Sequence, residues 1–275
     1  MNIQDLTRTL INNGIEENEA KYEIKILLEH FFNYTEKDKI LGKTLSDSDL
    51  NLLFEKIMIR IQKKIPIQHI TEKAWFMGEY FKVNSNVLIP RDETELLVKK
   101  AIEIINRNNF EDILDIGTGS GCIACTIAKN TKATVLGIDI SSDALRIALD
   151  NVTKLGINNR AIFRKSDLFE KIREDESFDV IISNPPYIPL GTKLSEEVSK
   201  EPSIALFAKE NGLEFYRKII ENAPKYLNQK GFLLFELGIN QSENVKSFMK
   251  KEFEQIQIIK DLAGIDRVIL GKLKS

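Results

Sequence analysis

Cysteine, histidine and tryptophan are scarce in this chain of 275 residues, with two, two and one respectively. So few thiols exclude a disulfide framework. Cys122 and Cys125 have the Cys-x-x-Cys spacing, but no second pair exists to complete a zinc site, and no metal is expected. They follow a glycine loop one turn apart on an expected helix, which makes them small packing residues rather than a redox pair. His30 reads as a helix-end side chain and His69 as packing in a connector. No apolar run approaches the roughly 18 residues needed to cross a bilayer. The stretch from Met1 to Leu6 also lacks a signal-peptide core. An excess of either charge is missing too: 39 basic residues face 41 acidic ones, for a net charge of −2. With a pI of about 5.9, no global field draws the protein to nucleic acid or to an anionic membrane. The expectation is a cytoplasmic protein with no membrane partner and no direct nucleic-acid partner.

What remains is a hydrophobic content of 43% and a charged content of 29%, the composition of a globular protein long enough for two unequal domains. Residues 1–65 read as helices only. Ile3, Leu6 and Leu10 share a face ending at Gly14, and Ile24, Leu27, Leu28 and Phe31 form a second stripe. Thr35 to Asp38 looks like the capped start of a short helix, and Ser46 or Ser48 can cap a longer one that stops before Pro66. Residues 66–90 change character: Trp75 to Met77 and Tyr80 to Val83 flank Gly78 and Glu79 as a β-hairpin connector. Residues 91–275 form the third segment, opening on an amphipathic helix.

From residue 111 strands and helices alternate, the pattern of a doubly wound sheet. Strands are expected at 112–116, 134–139, 161–165, 178–183, 231–237, 255–259 and 267–270, and helices at 121–129, 142–155, 213–227 and 241–251. The last two strands are too close for a helical crossover, so one of them should run antiparallel at the edge.

Two stretches carry chemistry. The first runs from Ile113 to Gly121, a strand leading through a glycine loop into a helix. Gly117, Gly119 and Gly121 let backbone approach a ligand, and the helix start offers free N–H groups. This is not the Gly-x-Gly-x-x-Gly of nicotinamide folds, and Asp115 before the first glycine would repel a pyrophosphate but orient a cation. Asp139 ends the next strand, where an acid can take both ribose hydroxyls. Asp167 ends the third and can accept from an adenine amino group. Each acid alone could be a solubilising strand cap. Together they imply a ligand with a ribose, an adenine and a positive charge, S-adenosyl-L-methionine.

The second stretch is a buried strand, 178–183, that runs into Asn184-Pro185-Pro186-Tyr187. The prolines stiffen the loop at the carboxyl end of a central strand. Asn184 offers an acceptor and Tyr187 a flat ring, which together suit a planar NH₂-bearing group.

Over nearly its whole length the chain resembles the release-factor glutamine N5-methyltransferases (PrmC/HemK). The resemblance rests on Pro66–Ile70, Phe81–Val83, Val87–Glu95, Ile113–Gly121, Asn184–Pro189, Glu201–Leu206, Gly212–Tyr216 and Asp261–Val268. It departs at Asp92, where the family usually has a second proline, and at Phe207–Lys209, where it usually has Asp-Gly-Gly. Leu168 stands where some members carry a tryptophan.

The resemblance implies an α/β fold: a seven-stranded, mostly parallel, Rossmann-like methyltransferase sheet, with a small helical amino-terminal domain joined by the hairpin. That domain would recognise substrate. The activity implied is methyl transfer from S-adenosyl-L-methionine, leaving S-adenosyl-L-homocysteine, to the glutamine of the Gly-Gly-Gln motif in class I peptide chain release factors. The cofactor set would be Asp115, Gly117, Thr118, Gly119, Ser120, Gly121, Asp139, Ile140, Asp167, Leu168 and Asn184. Asn184 and Pro185 would accept from the amide N–H groups while Tyr187 stacks on its plane, and Pro186 completes the substrate wall. Three rival readings are a ribosomal-protein glutamine methyltransferase, a DNA or RNA amino methyltransferase on the same loop, and a silent binding module for a translation factor.

Overall fold

The computed structural model describes residues 2–274. It divides into two units: Met1–Lys73 with Leu194–Lys200, and Ala74–Lys193 with Glu201–Ser275.

The first unit is helical: α1 (Ile3–Asn12), α2 (Glu17–Phe32), α3 (Glu36–Ile40), α4 (Asp47–Lys63) and α5 (Ile67–Thr71). Reciprocal capping boxes start three of these helices, Asn2 with Asp5, Thr35 with Asp38 and Ser46 with Asp49. The apolar stripes close on one another around Leu6, Leu10, Leu27, Leu53 and Ile57, all essentially inaccessible. One cation is buried among them. Arg60 on α4 bonds Glu23 on α2 at 2.9 Å and Glu197 of the 194–200 segment at 2.9 Å. Burial raises the Glu23 carboxyl pKa, and Arg60 offsets part of that shift. The sequence reading placed no helix after Pro66. Its φ of −53° nevertheless suits a helix start, and α5 follows at once.

From Ala74 onward the second unit takes in the hairpin β1 (Lys73–Phe76) and β2 (Glu79–Lys82). Its turn is at Met77 and Gly78, both with positive φ, one residue earlier than the sequence placed it. Helix α6 (Asp92–Asn108) leads into β3 (Asp112–Ile116), α7 (Cys122–Asn130), β4 (Thr134–Asp139), α8 (Ser142–Leu155), β5 (Ala161–Lys165) and β6 (Phe178–Ser183). The hairpin is fastened to α8. Lys82 N–H donates to Asn151 Oδ1 at 2.6 Å, and Asn151 Nδ2 donates back to the Lys82 carbonyl at 3.0 Å.

After β6 come a two-residue pair, β7 (Ile188–Pro189) with β8 (Phe207–Ala208), a distorted turn α9 (Lys209–Gly212), α10 (Glu214–Asn222), β9 (Leu227–Glu236), α11 (Ser242–Met249), β10 (Phe253–Lys260) and β11 (Asp266–Leu273). The main sheet has seven strands in the order β10-β11-β9-β6-β3-β4-β5. One expectation needs correcting. The antiparallel strand is β11, and it is not at the edge but inserted between β9 and β10. The turn 261–265 is short enough to force β11 to reverse directly against β10. Its apolar residues Val268, Ile269 and Leu270, all buried, then fill an interior lane that a polar edge strand could not.

The two sheet faces divide the core. Helices α6, α7 and α8 cover one through Leu97, Ile105, Ile127 and Val152, and α10 and α11 cover the other through Ile219 and Met249. Cys122 and Cys125 belong to the first of these layers. Burial pushes the Cys122 thiol up to about 12 and raises that of Cys125 as well, so neither supplies a thiolate near neutral pH. Strand order reverses beside β3, between β4 and β6, which opens a crevice at the strands' carboxyl ends.

Candidate functional site

Strand β3 delivers the glycine loop to this crevice. Gly117, Gly119 and Gly121 all take positive φ, at 74°, 55° and 78°. At Gly121 a Cβ would stand 3.0 Å from both the Ala148 Cβ and the Phe163 ring. Gly117 and Thr118 both donate backbone N–H groups to the Ile138 carbonyl at 2.9 Å, which ties the loop to β4. The close packing extends to Gly137, where a Cβ would lie 2.7 Å from Phe163 and 2.8 Å from Thr118 Oγ1. The sequence reading gave Gly137 no role, because an isolated glycine in a strand carries no ligand signal of its own.

Asp115 is wholly buried behind the loop. Its Oδ2 accepts from Thr118 Oγ1 at 2.6 Å, while Oδ1 has no hydrogen-bond partner among the described residues. Burial above all pushes this carboxyl up to about 7, with the Asp139 charge adding to it. Thr118 and the Ala124 N–H offset part of the shift, the latter as an attraction without hydrogen-bond geometry. Asp139, at the end of β4, accepts from Gly119 N–H at 2.9 Å and Ser141 N–H at 2.8 Å. Burial raises its pKa as well, against the pull of those N–H groups.

A cavity of about 310 Å³ occupies the crevice, within the range of small-molecule sites. Of the sequence-selected residues, Gly117, Gly119, Asp139, Ile140, Asp167, Leu168, Asn184, Pro185 and Pro186 line it together. Asp115, Thr118, Ser120 and Gly121 stand behind that wall rather than in it. The wall also includes Val87, Ile204 and Phe215, which carry no polar atom that a pattern search would single out. Leu168 holds a positive φ of 45°, a conformation leucine rarely adopts. Beside it, Ser166 Oγ donates to the Leu168 carbonyl at 2.6 Å.

Asn184 follows β6, whose Ser183 Oγ donates to the Ile116 carbonyl of β3 at 2.7 Å. The Asn184 side chain is half-buried, and its Nδ2 donates to Thr94 Oγ1 of α6 at 3.2 Å. Thr94 in turn donates to Glu236 Oε2 at 2.6 Å. Glu236 ends β9 and is 1% exposed. Burial pushes its carboxyl up to about 7, against the pull of the Thr94 hydroxyl. Tyr187 does not reach the cavity wall. Its hydroxyl turns inward to Glu236 Oε1 at 3.4 Å, and a Cβ at Gly238 would lie 2.9 Å from its ring. The ring is half-buried, packed on one side against Gly238.

Two further ties hold the crevice's rims. Gln241 Nε2 donates to the Tyr187 carbonyl at 2.9 Å. Glu201 accepts from Ile89 N–H at 2.8 Å and pairs with Arg91. Glu236 also ends a strand, as Asp139 does, but the sequence reading did not select it. Nor did it select Thr94 and Gln241, because only the fold brings α6 and α11 to the loop.

A family model described as "Methyltransferase domain" matches residues 107–268. The chain is 41% identical over 233 residues to the release factor glutamine methyltransferase of Clostridium acetobutylicum, covering 82% of this chain and 81% of that protein. It is 37% identical over 269 residues to the protein of that name from Bacillus subtilis, covering 93% of this chain and 91% of that one. Among solved structures, the ribosomal protein L11 methylase from Lactobacillus delbrueckii subsp. bulgaricus superposes with a TM-score of 0.51 at 22% identity. That match covers 72% of this chain and 86% of the other, and it shows the fold alone.

Proposed function

Because the chain belongs to the release factor glutamine methyltransferase family, we propose that its crevice aligns a release-factor glutamine with the methyl group of S-adenosylmethionine. The enzyme is an S-adenosylmethionine-dependent methyltransferase that acts on release-factor glutamine. The substrate we assign is the Gly-Gly-Gln glutamine of class I peptide chain release factors, modified in the cytoplasm, with the helical unit recognising the factor.

One observation carries the assignment of residues. The loop that would hold the methyl donor and the Asn184–Pro186 segment line the same cavity. The fit to the donor is physical. Among the described residues Asp115 Oδ1 has no hydrogen-bond partner, Asp139 lines the cavity with a carboxylate able to accept from two ribose hydroxyls, and Asp167 lines it with an exposed carboxylate able to accept from an adenine amino group. Ile140 and Leu168 flank it with apolar surface.

A glutamine amide nitrogen is a poor nucleophile, since its lone pair is delocalised into the carbonyl. S-adenosylmethionine, when bound, supplies an electrophilic sulfonium methyl. Asn184 Oδ1 and the Pro185 carbonyl accept one N–H each, which fixes the nitrogen in line with that methyl. These acceptors favour the positive charge developing on nitrogen, and most of the rate comes from alignment and preorganised dipoles. With S-adenosylmethionine bound, that nitrogen would take the methyl, S-adenosylhomocysteine would be the leaving group, and one N–H proton would pass late to solvent. Val87 and Ile204 add apolar surface to the cavity wall.

Mass spectrometry of release factors and ribosomal proteins from cells with and without the gene tests this reading. Loss of one methyl group on the Gly-Gly-Gln peptide is expected. Loss on a ribosomal protein instead assigns the other substrate.

A further inference from the structure

Asn184 poses a problem of orientation, because its amide carries a donor and an acceptor of equal size. Only one orientation turns Oδ1 toward an incoming amide N–H. We propose that Thr94 and Glu236 are positioning residues that set this orientation, the Thr94 hydroxyl being committed to the Glu236 carboxylate so that it can only accept from Asn184. The inference rests on the function proposed above and adds two residues to it.

The argument is one of counting protons. Thr94 is 3% exposed and Glu236 1% exposed, so water does not compete for either group. A threonine hydroxyl has a single proton, and at 2.6 Å it goes to Glu236 Oε2. What faces Asn184 is then a lone pair at 3.2 Å, which the amide meets with Nδ2. Oδ1 is left for the cavity that Asn184 lines. The opposite orientation would set one N–H against another at the substrate.

Glu236 is held from every side. Tyr187 donates to its Oε1 at 3.4 Å, and Tyr216 on α10 donates to its backbone carbonyl at 2.9 Å. Arg267 on β11 attracts it, although that guanidinium is shared with Asp261 at 2.9 Å and Glu93 at 3.7 Å. Glu93 on α6 repels it, and Cys122 on α7 also lies within its field. A proton returned to Glu236 reverses the chain of donors. Glu236 then donates to Thr94, the hydroxyl proton turns toward Asn184, and the amide inverts. The carboxylate is therefore the active form, and it forms as pH rises through about 7.

Single-turnover methylation of purified release factor at saturating S-adenosylmethionine, followed from about pH 5.5 to 8.5, separates this from a merely structural role. The wild-type rate should fall about tenfold per pH unit below the titration. In Glu236→Gln the amide oxygen accepts from Thr94 without titrating, so the acid limb should vanish with the alkaline rate kept within several-fold. Thr94→Val should lower the rate roughly tenfold or more on the alkaline side, with cofactor affinity unchanged, and Thr94→Ser should restore it. Melting temperatures check that each variant is folded. An acid limb retained by Glu236→Gln, or a wild-type rate in Thr94→Val, overturns the assignment. A wild-type chain that binds S-adenosylmethionine yet methylates no release factor overturns the proposed function itself, and the assignment with it.

Discussion

Gln241 and Tyr187 are joined by a single bond, Nε2 to backbone carbonyl at 2.9 Å, and two glycines make room for it. At Gly212, with φ of 86°, a Cβ would lie 2.1 Å from the Tyr187 carbonyl oxygen and 2.5 Å from Gln241 Nε2. At Gly238 it would meet Gln241 Oε1 at 2.3 Å. The loop bearing Asn184 is thus positioned from α11 through a gap that no side chain can share. Gly212→Ala should displace the loop, lowering kcat by roughly tenfold or more and costing about 1–3 kcal/mol of stability. Steady-state kinetics beside urea unfolding checks both. A variant with native kcat would mean that the clamp does not position Asn184.

Asp139→Ala should weaken S-adenosylmethionine binding by about 1–3 kcal/mol, the usual loss when a charged acceptor of hydrogen bonds is removed. Calorimetry decides it, and a change of only a few tenths would reduce Asp139 to a cap for Gly119 and Ser141.

Asp115 makes cofactor affinity depend on pH. Its folded carboxyl titrates at about 7, far above the ordinary aspartate value of 3.8. In the absence of ligand the folded form holds a proton that the unfolded chain has released, so this group's contribution to stability declines as pH rises from about 4 to 7. A ligand ammonium demands the carboxylate. Affinity should therefore fall toward tenfold per pH unit below 7, with proton release on binding. Asp115→Asn should bind more weakly at neutral pH and without this dependence. Calorimetry in buffers of different ionisation enthalpy reads the protons directly.

Much of this site was legible because its chemistry is local in sequence. The strands ending in Asp115, Asp139 and Asp167 and the Asn-Pro-Pro-Tyr turn each announce themselves within ten residues, and their carboxyl ends converge wherever a doubly wound sheet forms. The partners that orient them are long-range. Thr94 lies 90 residues from Asn184, and Glu236 lies 142 from Thr94. The surroundings of Tyr187 are long-range in the same way, since its hydroxyl meets Glu236 and its ring meets Gly238, both far along the chain. The place of β11 was hidden because a short turn requires an antiparallel neighbour but does not say on which side the rest of the sheet continues.

In the helical unit Arg60 is 1% exposed, with Glu23 2% exposed beside it. Burial opposes both charges, and each offsets the other's desolvation. Arg60→Ala leaves Glu23 without its partner and should cost about 3–5 kcal/mol, whereas Glu23→Leu with Arg60→Met should be close to neutral. Urea denaturation of the full chain distinguishes them. A mild Arg60→Ala would show that Glu23 simply takes up a proton when its partner is lost.

Asn184 tests the alignment mechanism itself. Its removal takes away one of two acceptors for the glutamine amide but leaves Asp139, the glycine loop and most of the cavity wall untouched. Asn184→Ala should therefore bind S-adenosylmethionine nearly as well as wild type while kcat falls by roughly a hundredfold or more, about 3 kcal/mol of transition-state stabilisation. Asn184→Asp discriminates further. It keeps an acceptor, but a carboxylate cannot donate to Thr94 Oγ1, and it adds a second negative charge near Glu236. A misplaced acceptor loses alignment even though its charge favours the cation forming on nitrogen, so this variant should bind cofactor and methylate poorly. Tyr187→Phe should be milder than Tyr187→Ala, because the ring fills the space against Gly238 while the hydroxyl makes only the 3.4 Å bond to Glu236. Single-turnover methylation of purified release factor, read beside calorimetric cofactor affinity, ranks the series. Near-normal turnover in Asn184→Ala would move the catalytic centre away from this loop. Loss of cofactor affinity in the same variant would make Asn184 part of the donor site rather than the aligning acceptor.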